Sequence, residues 1–327
     1  MASPELSVLV TAYNSELYIR EAINSILNQT YTDYELIIID DGSTDNTVSS
    51  IKSFNDNRIQ FLSHSQNTGI ARSRNQALEL ASGTYITFLD SDDIVHPQKF
   101  EKQIAFLKNN PDFGLVGSSV ILINEQGTET GRWKLAAKPE TIPSIMLFHN
   151  YFVNSAVMFR KSLLNDIVYP EDLVIGEDYM MWFNLLQKAK GINLPKYLTS
   201  YRQHTESIIQ RTGDKKEEYN KIVYELILQK IGIHPTNEEY EIHFSLKNRE
   251  TISSLIQMQN IFDWLQKISQ YSHNVSFIAD NTICPVILNR WLKVCYKARR
   301  KPGLLIYGIV KILFNPKLFF SCKCKKL

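Results

Sequence analysis

Cysteine is scarce in this sequence and is absent from most of it. The chain has 327 residues and four cysteines, and the first of the four is Cys284. No disulfide can therefore form within residues 1–283, which excludes a small secreted domain stapled by disulfides. This distribution fits a reducing, cytoplasmic setting. The first residues also lack a basic stretch followed by an apolar core, so we expect no secretory signal peptide.

Acidic residues are missing from the end of the chain. Eleven basic residues follow Asp280, whereas the preceding part carries 25 basic and 34 acidic residues. The overall charge of +2 therefore hides an acidic body and a strongly basic end. Such an asymmetry indicates that the two parts face different partners.

Long hydrophobic runs are missing as well. The most apolar segment, Leu304–Phe314, is only 11 residues long, whereas a membrane-spanning helix needs about 20. Because basic residues flank this segment, we expect residues from about 284 to 327 to form an amphipathic end on an anionic membrane surface. The interleaved apolar side chains argue against nucleic acid as the partner. Packing on the body or on a protein partner stays open.

Strand and helix patterns alternate over the first half of the chain. Short β-branched runs predict buried strands, and segments with apolar residues at helical spacing follow them. The alternation predicts an α/β fold with a Rossmann-like, mostly parallel sheet flanked by helices. The predicted strands are residues 6–11, 35–40, 58–63, 84–89, 114–123 and 154–159, and the predicted helices start near Ser15, Thr44 or Asp45, Gly69 and Asp178. The Ser15 side chain is expected to cap the first of these helices.

The pattern becomes helical with polar joints beyond about residue 215. We therefore expect one α/β domain over residues 1–210. A mostly helical, basic extension is expected over residues 211–327.

Carboxylates follow the fourth predicted strand. Asp90, Asp92 and Asp93 lie within four residues, and such a cluster repels itself unless a cation or a helix terminus compensates it. Magnesium takes one or two protein carboxylates together with phosphate oxygens, so this loop suits a metal-bridged diphosphate. The alternative is that Asp92 or Asp93 caps a helix entered through Pro97.

A second acidic loop, residues 40–45, follows the second predicted strand. A carboxylate at a strand tip can accept hydrogen bonds from a base or a ribose, and Gly42 would permit a tight turn. The alternative is a turn followed by a helix cap. In a parallel sheet both loops reach the same edge, which favours a shared ligand site.

Five segments in this order resemble family 2 glycosyltransferases over roughly residues 5–210. The resemblance implies a GT-A fold, an inverting reaction, a nucleotide-sugar donor and a divalent metal, Mn²⁺ or Mg²⁺. The segments are Val10–Asn14 (VTAYN), Ile39–Asp45 (IDDGSTD), Asn67–Asn75 (NTGIARSRN), Leu89–Asp93 (LDSDD) and Gly176–Asp178 (GED).

The resemblance also implies roles for individual residues. Asp41 would contact the base beside Tyr13, and Arg74 would hold the donor near its ribose or sugar. In the DxD motif, Asp90 would contact the ribose or a metal-bound water, and Asp92 would bind the metal. The remaining donor contacts are expected from Thr11, Asn14 and Ser91.

On the acceptor side, the family's catalytic base matches Asp178, preceded by Glu177. A carboxylate placed on an acceptor hydroxyl can remove its proton as the new bond forms; the alternative is favourable charge at a helix N-terminus. His204 would bind the metal or the diphosphate. Trp182 either lines the acceptor pocket or belongs to the core.

Together these observations predict an inverting transferase that uses a nucleotide sugar, expected to be a UDP-sugar. It would act in polysaccharide biosynthesis on a glycan or a polyprenyl-linked glycan, at the inner face of the membrane. A sugar-phosphate nucleotidyltransferase is a weaker alternative, because residues 10–16 lack the glycine and lysine of a triphosphate loop. A non-catalytic nucleotide-sugar-binding protein is the third. NAD-dependent chemistry is disfavoured, since no Gly-x-Gly-x-x-Gly follows the first strand.

Overall fold

A computed structural model of the chain describes residues 3–205, 216–246 and 252–320. The chain divides into two compact units. The first comprises Met1–Ala137 and Phe152–Tyr219, and the second comprises Lys138–Tyr151 and Asn220–Leu327. The boundary expected at residue 210 stays a prediction.

The first unit contains one mixed sheet, which has nine strands within the described residues. In chain order they are β1 (Leu6–Ala12), β2 (Tyr34–Asp40), β3 (Ile59–Ser63), β4 (Tyr85–Asp90), β5 (Ile94–Val95), β6 (Phe113–Ile123), β7 (Glu129–Trp133), β8 (Met158–Arg160) and β9 (Lys190–Arg202).

The strands run in the spatial order β3-β2-β1-β4-β8-β6-β9-β5, and β7 pairs with β6. Neighbours among β1 to β4 are parallel, whereas β8 is antiparallel to both β4 and β6. Strands β6 and β9 are again parallel. The predicted α/β fold with a mostly parallel sheet is therefore confirmed for the first unit.

Helices flank this sheet and build the second unit. In the first unit they are α1 (Ile19–Leu27), α2 (Thr47–Lys52), α3 (Ile70–Leu80), α4 (Lys99–Asn109) and α6 (Glu177–Leu186). In the second unit they are α5 (Ile142–Ile145), α8 (Asn237–Ser245), α9 (Leu255–Ser272), α10 (Asp280–Lys297), α11 (Pro302–Phe314) and α12 (Pro316–Phe320). Helix α7 (Lys216–Lys230) begins in the first unit and continues into the second from Asn220.

The core of the first unit lies between α1 and the central strands. All seven residues of β1 and all seven of β2 are buried, as expected for parallel strands covered on both faces. On α1 the residues that recur at helical spacing, Ile19, Ile23 and Ile26, have no exposed surface. Each such side chain contributes about 1.5–3 kcal/mol by leaving water.

The second unit has its own core. Trp264 of α9 and Trp291 of α10 are buried, and the Trp291 indole N–H donates to the Gly308 carbonyl of α11 at 3.0 Å. Among the described residues no helix combines the length and the apolarity that a bilayer span requires.

Two local predictions are wrong. The Ser15 side chain does not cap α1; its hydroxyl lies 2.7 Å from the Ser91 hydroxyl, and only its carbonyl receives the Tyr18 and Ile19 amides. Of the strand predicted over residues 154–159, only Met158 and Phe159 lie in a strand, β8, because Asn154–Ala156 forms a 3₁₀ turn.

The turn after β2 requires glycine at position 42. Gly42 has a φ of +75°, and a Cβ there would lie 2.4 Å from the Gln66 carbonyl carbon. Gly42→Ala is therefore expected to lower the free energy of unfolding by about 1–3 kcal/mol from backbone strain and by a further amount of about 1–3 kcal/mol from the clash. Urea denaturation measures the loss.

Gly127→Ala is the matched control, because Gly127 has a φ of +79° and its Cβ would meet only an Arg202 side-chain nitrogen at 3.9 Å. It should show the strain alone. Equal losses for the two variants would contradict the close approach at Gly42.

Candidate active site

The carboxyl ends of β1, β2 and β4 lie level at one edge of the sheet. Thr11 on β1 pairs with Ile39 on one side and with Asp90 on the other, and Ala12 pairs with Asp40. The two acidic loops therefore leave the sheet on either side of the loop that follows β1. As expected, the loops that follow β1, β2 and β4 lie at the same edge of the sheet.

Asp41 is held by the loop that precedes α3. The Thr68 amide (2.9 Å) and hydroxyl (2.7 Å) donate to Oδ1, and His64 Nδ1 lies 2.8 Å from the same oxygen. The Gly69 amide donates to Oδ2 at 2.9 Å. Burial opposes ionisation of Asp41, but these hydrogen bonds outweigh it and lower the pKa of the carboxyl.

Asp40 is the second carboxylate of this loop, and it was not among the predicted site residues. It is fully buried, and its Oδ2 accepts hydrogen bonds from the Ser63 hydroxyl (2.8 Å) and the Ser43 amide (3.2 Å). Its Oδ1 is buried with no hydrogen-bond partner among the described residues. Asp40 Oδ1 is therefore enclosed by the protein at the edge where the nucleotide base was expected.

The loop after β1 presents an aromatic ring and a turn residue. Tyr13 is 40% exposed, which leaves its ring available for stacking. Asn14 has a positive φ of 47°, and its side-chain oxygen accepts from the Thr44 amide at 2.9 Å. Thr11 is buried within β1, so its side chain is less accessible than that of Tyr13.

Arg74 joins two carboxylates from distant parts of the chain. Its guanidinium, only 3% exposed, donates to Asp90 Oδ1 at 2.8 Å and to Glu177 Oε1. Burial disfavours the charged guanidinium, yet the two carboxylates outweigh that effect and raise the pKa of Arg74. Arg74 therefore ties β4 to the start of α6; its expected contact with the donor stays a prediction.

The turn before β8 supplies further contacts to Asp90 that the sequence did not reveal. The Asn154 side-chain amide donates to Asp90 Oδ1, and the Asp90 amide donates to the Ser155 hydroxyl. Below this turn, the fully buried Lys99 ammonium donates to the Ser155 carbonyl at 2.8 Å. Burial lowers the pKa of Lys99 to about 7.

Asp92 and His204 face each other. His204 Nε2 lies 2.7 Å from Asp92 Oδ2, and His204 Nδ1 is buried without a partner among the described residues. No group of three or more His, Cys, Asp or Glu side chains in the described part of the chain could hold a metal ion by itself. One carboxylate and one imidazole do fit a divalent ion that takes its other ligands from phosphate oxygens and water.

Asp93 does not cap a helix, which rules out that alternative for this residue. Helix α4 begins without a side-chain cap, and Asp93 is buried with its Oδ1 accepting the Arg202 amide at 2.8 Å. Burial raises the pKa of Asp93 well above its ordinary value, and the charges of Asp92 and Asp90 add to the effect.

Arg202 is the second buried arginine of the site, and its role was not predicted. Its guanidinium pairs with Glu21 of α1 and donates to the Asp92 carbonyl at 2.8 Å. It also donates to the carbonyls of Asn124 (3.1 Å) and Glu125 (2.9 Å) in the turn between β6 and β7. Of the segment from Tyr201 to His204, only His204 was predicted as a site residue.

Asp178 and Glu177 begin α6 directly after Gly176, which has a φ of +81°. Burial raises the pKa of Asp178 to about 7, and the negative charge of Glu177 adds to this. Burial also raises the pKa of Glu177, against the opposing charge of Arg74. One turn further on, Trp182 is fully buried and packs on Phe159, so it is a core residue.

Removing the Arg74 charge should destabilise the protein strongly. Arg74→Met leaves Asp90 and Glu177 with an uncompensated buried charge, for which we expect a loss of about 3–5 kcal/mol in the free energy of unfolding. Adding Glu177→Gln to this variant removes one of the charges and should recover part of the loss. A single variant within about 0.5 kcal/mol of wild type would contradict the bridging role.

The arrangement can be compared with known proteins. The sequence profile of Glycosyl transferase family 2 matches residues 7–168. An Escherichia coli protein named UDP-Glc:alpha-D-GlcNAc-diphosphoundecaprenol beta-1,3-glucosyltransferase WfgD is 36% identical over 207 residues, which cover 62% of this chain and 79% of that protein.

Two solved structures share the fold. S. aureus TarS 1-349 in complex with UDP-GlcNAc matches with a TM-score of 0.58 at 21% identity, over 96% of this chain and 91% of that one. The mannosyltransferase PcManGT from Pyrobaculum calidifontis, in complex with GDP-Man and Mn²⁺, matches with a TM-score of 0.50 at 16% identity, over 98% and 84%. With its GT-A fold and these relatives, the chain belongs to glycosyl transferase family 2 and is a glycosyltransferase.

Proposed function

We propose that this glycosyltransferase moves a sugar from a UDP-sugar to a hydroxyl of a glycan or lipid-linked glycan, with inversion at the anomeric carbon. One observation supports the proposal above all: the Asp40-Asp41 loop, Asp92 and Asp178 lie in the same unit, together with their hydrogen-bonding partners. The name of the E. coli relative, which states a UDP-glucose donor and a diphosphoundecaprenol-linked acceptor, supports it. So does the UDP-GlcNAc complex of TarS.

Within this proposal the loops after β1 and β2 bind the nucleotide. Tyr13 offers an exposed ring to the base, and Asp41 is the acceptor for an N–H group of the base. Four contacts from the chain hold the Asp41 carboxylate, and the fully buried Asp40 holds the turn through Ser43 and Ser63. Asp90, fixed by Arg74, faces the ribose side together with Ser91, and Asn14 holds the loop.

Asp178 acts as the catalytic base. Its carboxylate removes the proton from the acceptor hydroxyl while that oxygen attacks the anomeric carbon and the bond to the diphosphate breaks. Glu177 holds the start of α6 through Arg74. Because burial raises the pKa of Asp178 to about 7, the carboxylate is basic enough to take the proton, and about half of it is ionised at pH 7.

Asp92 and His204 are the residues that would hold a divalent ion, Mn²⁺ or Mg²⁺. Such an ion supplies positive charge to the departing diphosphate. The Mn²⁺ in the PcManGT complex supports this assignment.

Asp178→Asn should abolish transfer but not donor binding. Loss of a general base costs about 10²–10⁴-fold in rate, whereas UDP affinity measured by calorimetry should stay unchanged.

The pH profile gives a second readout. Below pH 7 the wild-type carboxyl holds its proton, so kcat/KM should fall as pH decreases through about 7.

Asp172→Asn is the matched control, because Asp172 is an exposed acid in the preceding loop. It should leave both rate and pH profile unchanged.

Stability gives an independent check. Because the pKa of Asp178 is raised in the folded state, the free energy of unfolding of the wild-type protein falls as pH rises from about 4 to about 7. Asp178→Asn should therefore be the more stable protein at pH 8. Normal turnover by Asp178→Asn would contradict its role as base.

Asp92→Asn and His204→Gln should weaken the metal dependence of UDP binding. For wild type we expect Mn²⁺ to raise the affinity for UDP, since the diphosphate completes the coordination. Each variant should lose most of the increase in UDP affinity that Mn²⁺ causes. In the absence of metal, each variant should bind UDP as tightly as wild type does. Calorimetric titration with and without Mn²⁺ measures this, and an unchanged gain in both variants would contradict the assignment.

The basic end places the enzyme on an anionic membrane surface. Exposed apolar side chains on α11 recur at the spacing of one helix face, at Ile306, Ile309, Val310 and Leu313. Lys311 lies on the same helix, and basic residues precede it at 299–301. Each apolar side chain contributes about 1.5–3 kcal/mol if the bilayer buries it, and each basic residue about 1 kcal/mol.

The double variant Ile309→Gln/Leu313→Gln should float less with vesicles of phosphatidylglycerol and phosphatidylethanolamine than wild type. Leu255→Gln removes a comparably exposed apolar side chain from the start of α9 and should float normally. Equal flotation of all three proteins would argue against this surface, as would wild-type flotation that is insensitive to salt.

A further inference from the structure

One tryptophan is exposed in a protein that buries the others. Trp182, Trp264 and Trp291 are at most 2% exposed, whereas Trp133 is 44% exposed. A single exposed apolar side chain is ordinary on a protein surface, but Trp133 stacks on a second aromatic ring, Tyr201. None of the roles assigned above uses Trp133.

Trp133 ends the hairpin formed by β6 and β7, and its ring stacks on a second aromatic. It pairs with Val120 of β6 in the sheet, and Tyr201 pairs with Leu122 of the same strand. The two rings lie 5.7 Å apart between centroids with an angle of 28° between their planes. The stacked pair keeps an exposed aromatic surface on the indole.

The hairpin is anchored to the loop that carries Asp92. The Arg202 guanidinium donates to the carbonyls of Asn124 and Glu125 in the hairpin turn and to the Asp92 carbonyl. The pair thus lies on an element whose position is fixed relative to the metal loop, as a binding subsite requires.

Tyr201 also faces the charges of the site. Burial raises its pKa, and the negative charges of Asp93, Asp90, Asp92 and Asp178 add to that effect. Its chain neighbour Arg202 donates to the Asp92 carbonyl, so the aromatic pair lies one residue from a direct contact with the loop of Asp92.

We infer that Trp133 and Tyr201 form a platform on which a pyranose ring of the acceptor stacks through its C–H face. The inference rests on the proposed function and deepens it by naming the acceptor subsite. An aromatic stack that served only the stability of the fold would contribute about 0.5–1.5 kcal/mol. That role requires neither an indole nor the exposure of its ring to solvent.

The chemistry of the platform fits a sugar rather than a nucleotide base. A pyranose with equatorial hydroxyls has an apolar face that covers an indole, while its rim hydroxyls stay available for hydrogen bonds. Tyr201 adds a phenol to the same surface. The nucleotide is already served by Tyr13 and the Asp40-Asp41 loop on other strands.

Acrylamide quenching of tryptophan fluorescence tests the platform directly, because Trp133 is the tryptophan that a quencher reaches most readily. The probe is methyl α-N-acetylglucosaminide, added in the presence of UDP and Mn²⁺. It should protect the fluorescence from quenching by about twofold, given that one of four indoles is exposed. Trp133→Phe should abolish the protectable signal, and unprotected wild-type fluorescence at saturating sugar would overturn the inference.

Kinetics separate this inference from the proposed function. With UDP-glucose and a short-chain α-N-acetylglucosaminyl diphosphate lipid, Trp133→Ala should raise the acceptor KM about tenfold and leave UDP-glucose hydrolysis in the absence of acceptor unchanged. Trp133→Phe should retain most of the affinity, and Tyr296→Ala, which removes an exposed aromatic of α10, should have no effect.

The possible failures are distinguishable. Normal hydrolysis with an unchanged acceptor KM in Trp133→Ala overturns the platform and leaves the proposed function in place. Absence of both hydrolysis and transfer in wild type overturns the proposed function, and the quenching experiment then decides the sugar platform by itself.

Discussion

Negative charge gathered at one edge of a sheet has to be compensated, and in this protein two buried arginines do so. Arg74 lies between Asp90 and Glu177, and Arg202 joins Glu21 to the loop of Asp92. Guanidinium groups suit this task because they donate several hydrogen bonds in one plane and stay charged when buried. Without them the carboxylates would repel one another or take up protons.

The two arginines divide the site into halves with different tasks. Arg74 couples the end of β4 to the start of α6, where Glu177 and Asp178 lie. Arg202 couples the loop of Asp92 to the β6–β7 hairpin, where Trp133 lies. In the proposed reaction these two side chains connect the segments assigned to the nucleotide, the diphosphate and the acceptor.

The first four strands could be predicted because each is a local run with apolar residues that ends in a polar loop, and parallel packing then brings those loops together. The antiparallel direction of β8 and the roles of Lys99 and Arg202 could not be predicted. A basic residue carries no local signal of burial, and its partners, such as the Ser155 carbonyl, come from strands far away in sequence. Asp93 looked like a helix cap for the same reason: its partner is the amide of Arg202.

The sequence separation of these contacts affects how the enzyme is made. Asp41 closes its contacts within 28 residues, whereas Asp90, Asp92 and Asp93 depend on partners up to 112 residues further along. Closing long loops costs chain entropy before any contact repays it. A nascent chain can thus complete the contacts of Asp41 early, while those of Asp90, Asp92 and Asp93 are complete only after residues 177–204 have folded back onto the sheet.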